Sequence, residues 1–196
     1  MKKVLFLVSH VGSGSDALYA LLNSETRIMG FDKNNIYDSP IQLVALTENK
    51  HKLNNSSRIY MDHLLYNYQY CLKPNPHCQF IFLVREPEGT IDYLVNRKIY
   101  KKQDAKRYYL YRIRRICELL KRNPDSVFIT YSNLREGKGL DIISEYIGLK
   151  NVLKFSQEFI VPSGKNTLQI QDYEKLSSAY EKYVYFANKV CTKSVK

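Results

Sequence analysis

Residues 9 to 16 read Ser-His-Val-Gly-Ser-Gly-Ser-Asp. Those residue types in that order can hold a phosphate. Gly12 and Gly14 let the backbone turn tightly and approach a ligand closely. Ser13 and Ser15 add hydroxyl donors. A helix beginning near Ser15 points its N–H groups, and the positive end of its dipole, at whatever the loop holds. No Gly-Lys-Ser/Thr follows, so this is not the loop of the nucleoside-triphosphatases. Asp16 suits the first turn of a helix. Three residues could take or carry a proton. His10 lies at the mouth of the loop, where it is either a cation or a group that orients the loop through a backbone bond. His63, in Tyr-Met-Asp-His-Leu-Leu, is expected just past a strand end and titrates near neutrality, unless it sits on a helix surface. Asp32 ends a second strand or begins a turn.

The elements that must position these groups are readable from hydropathy. Val4–Ser9 is a continuous apolar run closed by Gly and Ser, which describes a strand buried on both faces. Leu18, Leu21 and Leu22 then recur at helical spacing. A second strand is expected over Thr26–Asp32, a short helix after Ser39–Pro40, and a strand running into a helix around 58–66. Cys78–Val84 is the clearest central strand, with Pro87 in the first turn of a helix reaching Asn96. A long helix is expected from about Asp104 to Arg122, its apolar stripe formed by Tyr109, Ile113, Ile116, Leu119 and Leu120. A strand from Ser126 to Leu134, a helix ending near Gly148, and a last helix over Asp172–Val190 complete the pattern. Strands alternate with helices, so the expected fold is α/β, three layers around a mainly parallel sheet. One domain over 1–196 is expected, with 34–76 as a substrate-side insertion and 160–196 as a C-terminal loop and helix.

Three stretches, in order, resemble the sulfotransferase family, whose members take a sulfuryl group from PAPS (3′-phosphoadenylyl sulfate) and leave its bisphosphate product, PAP. Val8–Leu22 is similar to the family's 5′-phosphosulfate loop. Phe80–Asn96 looks like its 3′-phosphate motif: an apolar strand, an Arg, a Pro two residues on, then a helix. Ser126–Leu134, followed by Ile142–Leu149, resembles the family's strand ending in Tyr-Glu-Asp-Leu and its following helix. The match spans roughly residues 3–150 and implies a nucleotide-kinase-like sulfotransferase fold with PAPS as co-substrate and no metal. It places Gly12, Ser13, Gly14, Ser15 and Asp16 around the phosphosulfate. Arg85 falls on the 3′-phosphate, Tyr93 where a serine hydroxyl is usual, and Tyr131 beside the adenine. Lys165, in the tail, falls where the family folds a basic segment over the nucleotide. A guanidinium at a strand's C-terminal end can grip phosphate oxygens bidentately, although Glu86 and Glu88 offer Arg85 an ordinary ion pair instead. In this chain the loop's basic residue is replaced by Gly12, and Asp16 stands where a neutral residue is usual.

The charge balance agrees with an anionic ligand. Among 196 residues, Lys and Arg exceed Asp and Glu to give a net charge of +11. Such a field favours nucleotides, acidic sugars, nucleic acid or membrane surfaces without choosing among them. Arg97, Lys98, Lys101, Lys102, Lys106 and Arg107, interleaved with Tyr100 and Tyr108, could face an anionic acceptor, bind RNA, or simply be a solvated face. The four cysteines form no Cys-x-x-Cys pair, so zinc ligation is not expected and free thiols in a reducing, cytoplasmic setting are. No run approaches the roughly 20 apolar residues of a membrane span. The expected activity is sulfuryl transfer to a hydroxyl of a carbohydrate or small metabolite. The alternatives are a related domain that binds a nucleotide or anionic glycan without catalysis, and a basic nucleic-acid-binding module.

Overall fold

The computed structural model describes residues 4–30, 42–45, 59–65, 75–154 and 170–194. The described strands form one six-stranded sheet, the apolar runs supplying all but the last: β1 (Val4–Val8), β2 (Ile28–Gly30), β3 (Ile59–Leu64), β4 (Cys78–Val84), β5 (Val127–Thr130) and β6 (Lys193–Ser194). The order across the sheet is β2-β3-β1-β4-β5-β6. Every neighbouring pair is parallel. Parallel strands need crossover helices, and these cover both faces. Besides a helical stretch at 42–45, the helices among the described residues are α1 (Ser15–Ser24), α2 (Pro87–Asn96), α3 (Lys102–Arg122), α4 (Tyr131–Arg135), α5 (Leu140–Ile147) and α6 (Ile170–Val190). The chain is therefore α/β with a parallel sheet, as its alternation predicts.

Alternate residues of β1 and β4 feed two cores. Val4, Phe6, Val8, Phe80, Phe82 and Val84 pack with side chains of α2, α3 and α6 on one face. Leu5, Leu7, Ile81 and Leu83 pack with Leu18 and Leu22 of α1 and Ile143 of α5 on the other. This explains why β1 and β4 read as unbroken apolar runs. The central pair also creates the site. From β1 the chain turns towards β2 and β3, and from β4 towards β5. Connections that diverge from adjacent strands open a crevice beyond their carboxyl ends, the place where open α/β sheets bind ligands.

Several boundaries differ from expectation. β3 lies inside the span 34–76, between β2 and β1, so that span contributes a central strand and is not wholly an insertion. β5 ends at Thr130, and Tyr131 opens a short helix. The Thr130 hydroxyl accepts from the Asn133 N–H at 3.3 Å, a side-chain cap that turns the strand end into a helix start. β6 is too short to carry a hydropathy signal. The parts of the expected second strand and first short helix beyond residues 28–30 and 42–45 lie outside the described residues.

Candidate functional site

The loop between β1 and α1 has the backbone a phosphate cradle needs. Gly12 and Gly14 both take left-handed conformations, φ 83° and 81°. A Cβ on Gly12 would sit 2.9 Å from the Tyr93 ring, and one on Gly14 would sit 2.7 Å from the Tyr131 ring. Neither position can bear a side chain without displacing a tyrosine. Gly14 is also the N-cap of α1, with no side chain capping the first-turn amides. Ser13 is fully buried, and its hydroxyl has no hydrogen-bond partner. An unpaired buried hydroxyl is costly, so a ligand oxygen is its natural complement.

His10 holds this loop to the sheet. Its Nε2 accepts the Arg85 N–H at 3.0 Å, and its Nδ1 lies 3.2 Å from the Val11 carbonyl. Together these contacts fix the tautomer with the proton on Nδ1. Tyr109 packs its ring edge-on to the imidazole, 5.5 Å between centroids, and donates its hydroxyl to the Arg85 carbonyl at 2.9 Å. Burial, reinforced by Arg112 and Arg85, pushes the His10 pKa down to about 4. The ring is neutral at neutral pH. The reading of His10 as a loop cation is thereby corrected to its alternative, a group that orients the loop through backbone bonds.

Arg85, the residue after β4, is also fully buried. Its Nε meets Glu86 Oε1 at 3.1 Å and its Nη1 reaches the Gly12 carbonyl at 3.3 Å. The Tyr131 ring lies over the guanidinium, 4.3 Å from Cζ to centroid, a cation–π contact in a desolvated place. Nη2 has no hydrogen-bond partner. Ser13 Oγ and Arg85 Nη2 are thus two orphaned buried polar atoms, one in the loop and one on the guanidinium that reaches the loop's Gly12 carbonyl.

His63 faces the α1 side of the sheet. It is not past the strand end but within β3, in register with Leu7. Ser9 Oγ lies 2.9 Å from its Nε2, Asp16 Oδ1 lies 3.7 Å from its Nδ1, and the Tyr19 ring stacks on it at 5.5 Å. Burial, with Arg112 nearby, lowers its pKa to about 4, so it too is neutral at neutral pH and able to accept a proton. Asp16 itself is exposed at the rim.

The fold therefore brings together Gly12, Ser13, Gly14, Ser15, Arg85, Tyr93 and Tyr131, with His10 beneath them and His63 joined through Ser9. Asp32 and Lys165 lie outside the described residues. Two participants escaped the sequence reading. Gly89, in the first turn of α2, lets the guanidinium of Arg85 pass: a Cβ there would be 2.5 Å from Nε and Nη2. A lone glycine inside a helical pattern is the signal that could have found it. Arg112 of α3 is buried and donates to the Ser9 carbonyl from Nε at 2.9 Å and from Nη2 at 2.7 Å. Its Nη2 also reaches the Leu64 carbonyl at 2.6 Å. No group of three or more metal-ligating side chains occurs among the described residues. A cavity lined by Asn75, Cys78 and Arg122 sits at the opposite end of β4, about 20 Å of strand away from the loop.

No protein-family model and no curated protein matches the sequence. Solved structures do match the fold. A sulfotransferase domain from the curacin biosynthetic pathway is 12% identical and superposes with a TM-score of 0.55, covering 100% of this chain and 99% of its own. A mouse sulfotransferase crystallised with PAP is 14% identical, with a TM-score of 0.56 over 97% of this chain and 87% of its own. A sulfotransferase from Alicyclobacillus acidocaldarius is 12% identical, with a TM-score of 0.55 over 98% and 97%. A parallel sheet of this order, with a glycine–serine loop at the crevice between β1 and β4, gives this chain the sulfotransferase fold.

Proposed function

We propose that the chain transfers the sulfuryl group of PAPS to a hydroxyl of a carbohydrate or small metabolite. One observation carries the reading: Ser13 Oγ is buried and unpartnered at the uncapped start of α1, and a second orphan, Nη2, belongs to the Arg85 guanidinium that reaches the neighbouring Gly12 carbonyl. The residues present fit a nucleotide bearing phosphates. Ser13, Ser15 and the first-turn amides of α1 would hold the 5′ end, with Gly12 and Gly14 allowing close approach. Arg85 Nη2 is the atom offered to the 3′-phosphate, and Tyr131 and Tyr93 flank the pocket. PAPS supplies the activated sulfuryl group. Neutral His63, donating its Nε2–H to Ser9 Oγ, takes the acceptor's hydroxyl proton on Nδ1, the ring nitrogen that faces Asp16. Asp32 is retained as a second candidate base and Lys165 as a cation over the nucleotide.

A second reading, nucleotide binding without catalysis, is favoured by Gly12. The family's basic residue is absent there, and Tyr93 leaves no room for one. The two readings separate experimentally. PAP should raise the melting temperature under both, whereas transfer of radiolabelled sulfate from PAPS to a panel of hydroxylated acceptors occurs only under the first. A folded protein whose melting temperature is unmoved by millimolar PAP would defeat both.

A further inference from the structure

The loop lacks its own cation, and the fold places another beneath it. We propose that Arg112 is the positioning residue of the transfer site, supplying from α3 the positive charge that position 12 cannot carry and holding Ser9 against His63. The proposal rests on the reading of His63 as the proton acceptor.

Burying a guanidinium is expensive unless its N–H groups are satisfied. Arg112, only 1% exposed, places the N–H groups of Nε and Nη2 on the carbonyls of Ser9 and Leu64. These two residues stand where β1 and β3 end, and the Ser9 N–H bonds the Leu64 carbonyl at 3.2 Å. Arg112 therefore clamps the two strand ends at the point where the chain leaves the sheet for the phosphate loop. With its carbonyl held by two bonds, Ser9 keeps its hydroxyl 2.9 Å from His63 Nε2. A neutral clamp could do that much. A cation also disfavours protonation of the imidazoles near it, and Arg112 contributes in that sense at both His63 and His10. Among the described residues the groups around His63 are Ser9, Asp16, Tyr19, the Arg112 charge and Asp62, whose carboxylate accepts the His63 backbone N–H at 2.6 Å; the Asp16 and Asp62 carboxylates oppose Arg112.

Two variants separate charge from clamp. Arg112→Gln keeps a donor and loses the charge; Arg112→Lys keeps the charge and loses the fork. The imidazole pKa of His63, followed by NMR in the ligand-free protein, should rise by about one unit in Arg112→Gln and stay near the wild-type value in Arg112→Lys. PAP should bind about tenfold more weakly to Arg112→Gln than to Arg112→Lys. Equal behaviour of the two variants in both readouts would reduce Arg112 to a structural clamp and overturn the proposal. So would a wild-type His63 that titrates near 6.5. If neither variant folds, the Arg112 Nε–H signal of the wild type decides: it should shift when PAP is added, and an unmoved signal on PAP binding refutes the charge role. Failure of PAP to bind the wild type at all refutes the sulfuryl-transfer reading instead, and the ligand-free titration still judges Arg112.

Discussion

Acidification should loosen the phosphate loop through His10, by an amount that follows from its bonds. The neutral ring accepts the Arg85 N–H on Nε2 and donates from Nδ1 towards the Val11 carbonyl. A protonated ring would turn a second N–H against the Arg85 amide, with Arg85 and Arg112 already nearby. The folded protein therefore resists the proton until about pH 4, while the unfolded chain takes it near 6.5. Between those values the unfolded state binds more protons, so stability is fully present above pH 6.5 and lost as the pH falls towards 4. Integrating between pH 7 and pH 5 gives a loss of about 2 kcal/mol from this one group. Urea unfolding at the two pH values should show it as a difference between wild type and His10→Gln. The variant retains an acceptor for the Arg85 amide but cannot titrate. Its stability should fall by about 2 kcal/mol less than the wild type's on going to pH 5. Equal losses in the two proteins, or an NMR titration of His10 near 6.5, would refute the burial argument.

Three further outcomes are expected. Gly14→Ala places a Cβ 2.7 Å from Tyr131 at φ 81°, and should cost about 2 kcal/mol of stability in urea unfolding, together with loss of PAP binding. Gly89→Ala drives a methyl into the Arg85 guanidinium and should weaken PAP binding about tenfold by calorimetry while α2 persists by circular dichroism, since alanine is the better helix former. His63→Ala should lower kcat by about a hundredfold or more with PAP affinity unchanged, and the wild-type rate should lose no activity to His63 protonation until the pH approaches 4. A rate in His63→Ala equal to wild type would move the search for the base to Asp32.

Much of this molecule is legible along the chain because it depends on neighbours in sequence. Val4–Val8 and Cys78–Val84 announce buried parallel strands, since both faces of each must be apolar. Gly12 and Gly14 announce a loop whose backbone enters the left-handed region. Pro87 marks a helix start, and Gly148 marks a helix end at φ 72°. Arg85 stands out as a charge closing an apolar run. Tertiary structure decided what these groups do. On α3, helical spacing sets Arg112 on the stripe of Tyr109, Ile113 and Ile116 and Arg114, 80% exposed, on the far side; only the tertiary fold supplies the Ser9 and Leu64 carbonyls that let a guanidinium be buried there. His10 and His63 share an ordinary imidazole, and burial, with Arg112 nearby, pushes both pKa values down to about 4. A strand running into a helix is readable around 58–66 with His63 just past the strand end, yet the register of β3 places His63 inside the strand, level with Leu7. Local backbone preference is written in the residues themselves. Charge state and burial depend on partners as much as 103 residues apart along the chain, and only the packed sheet brings those together.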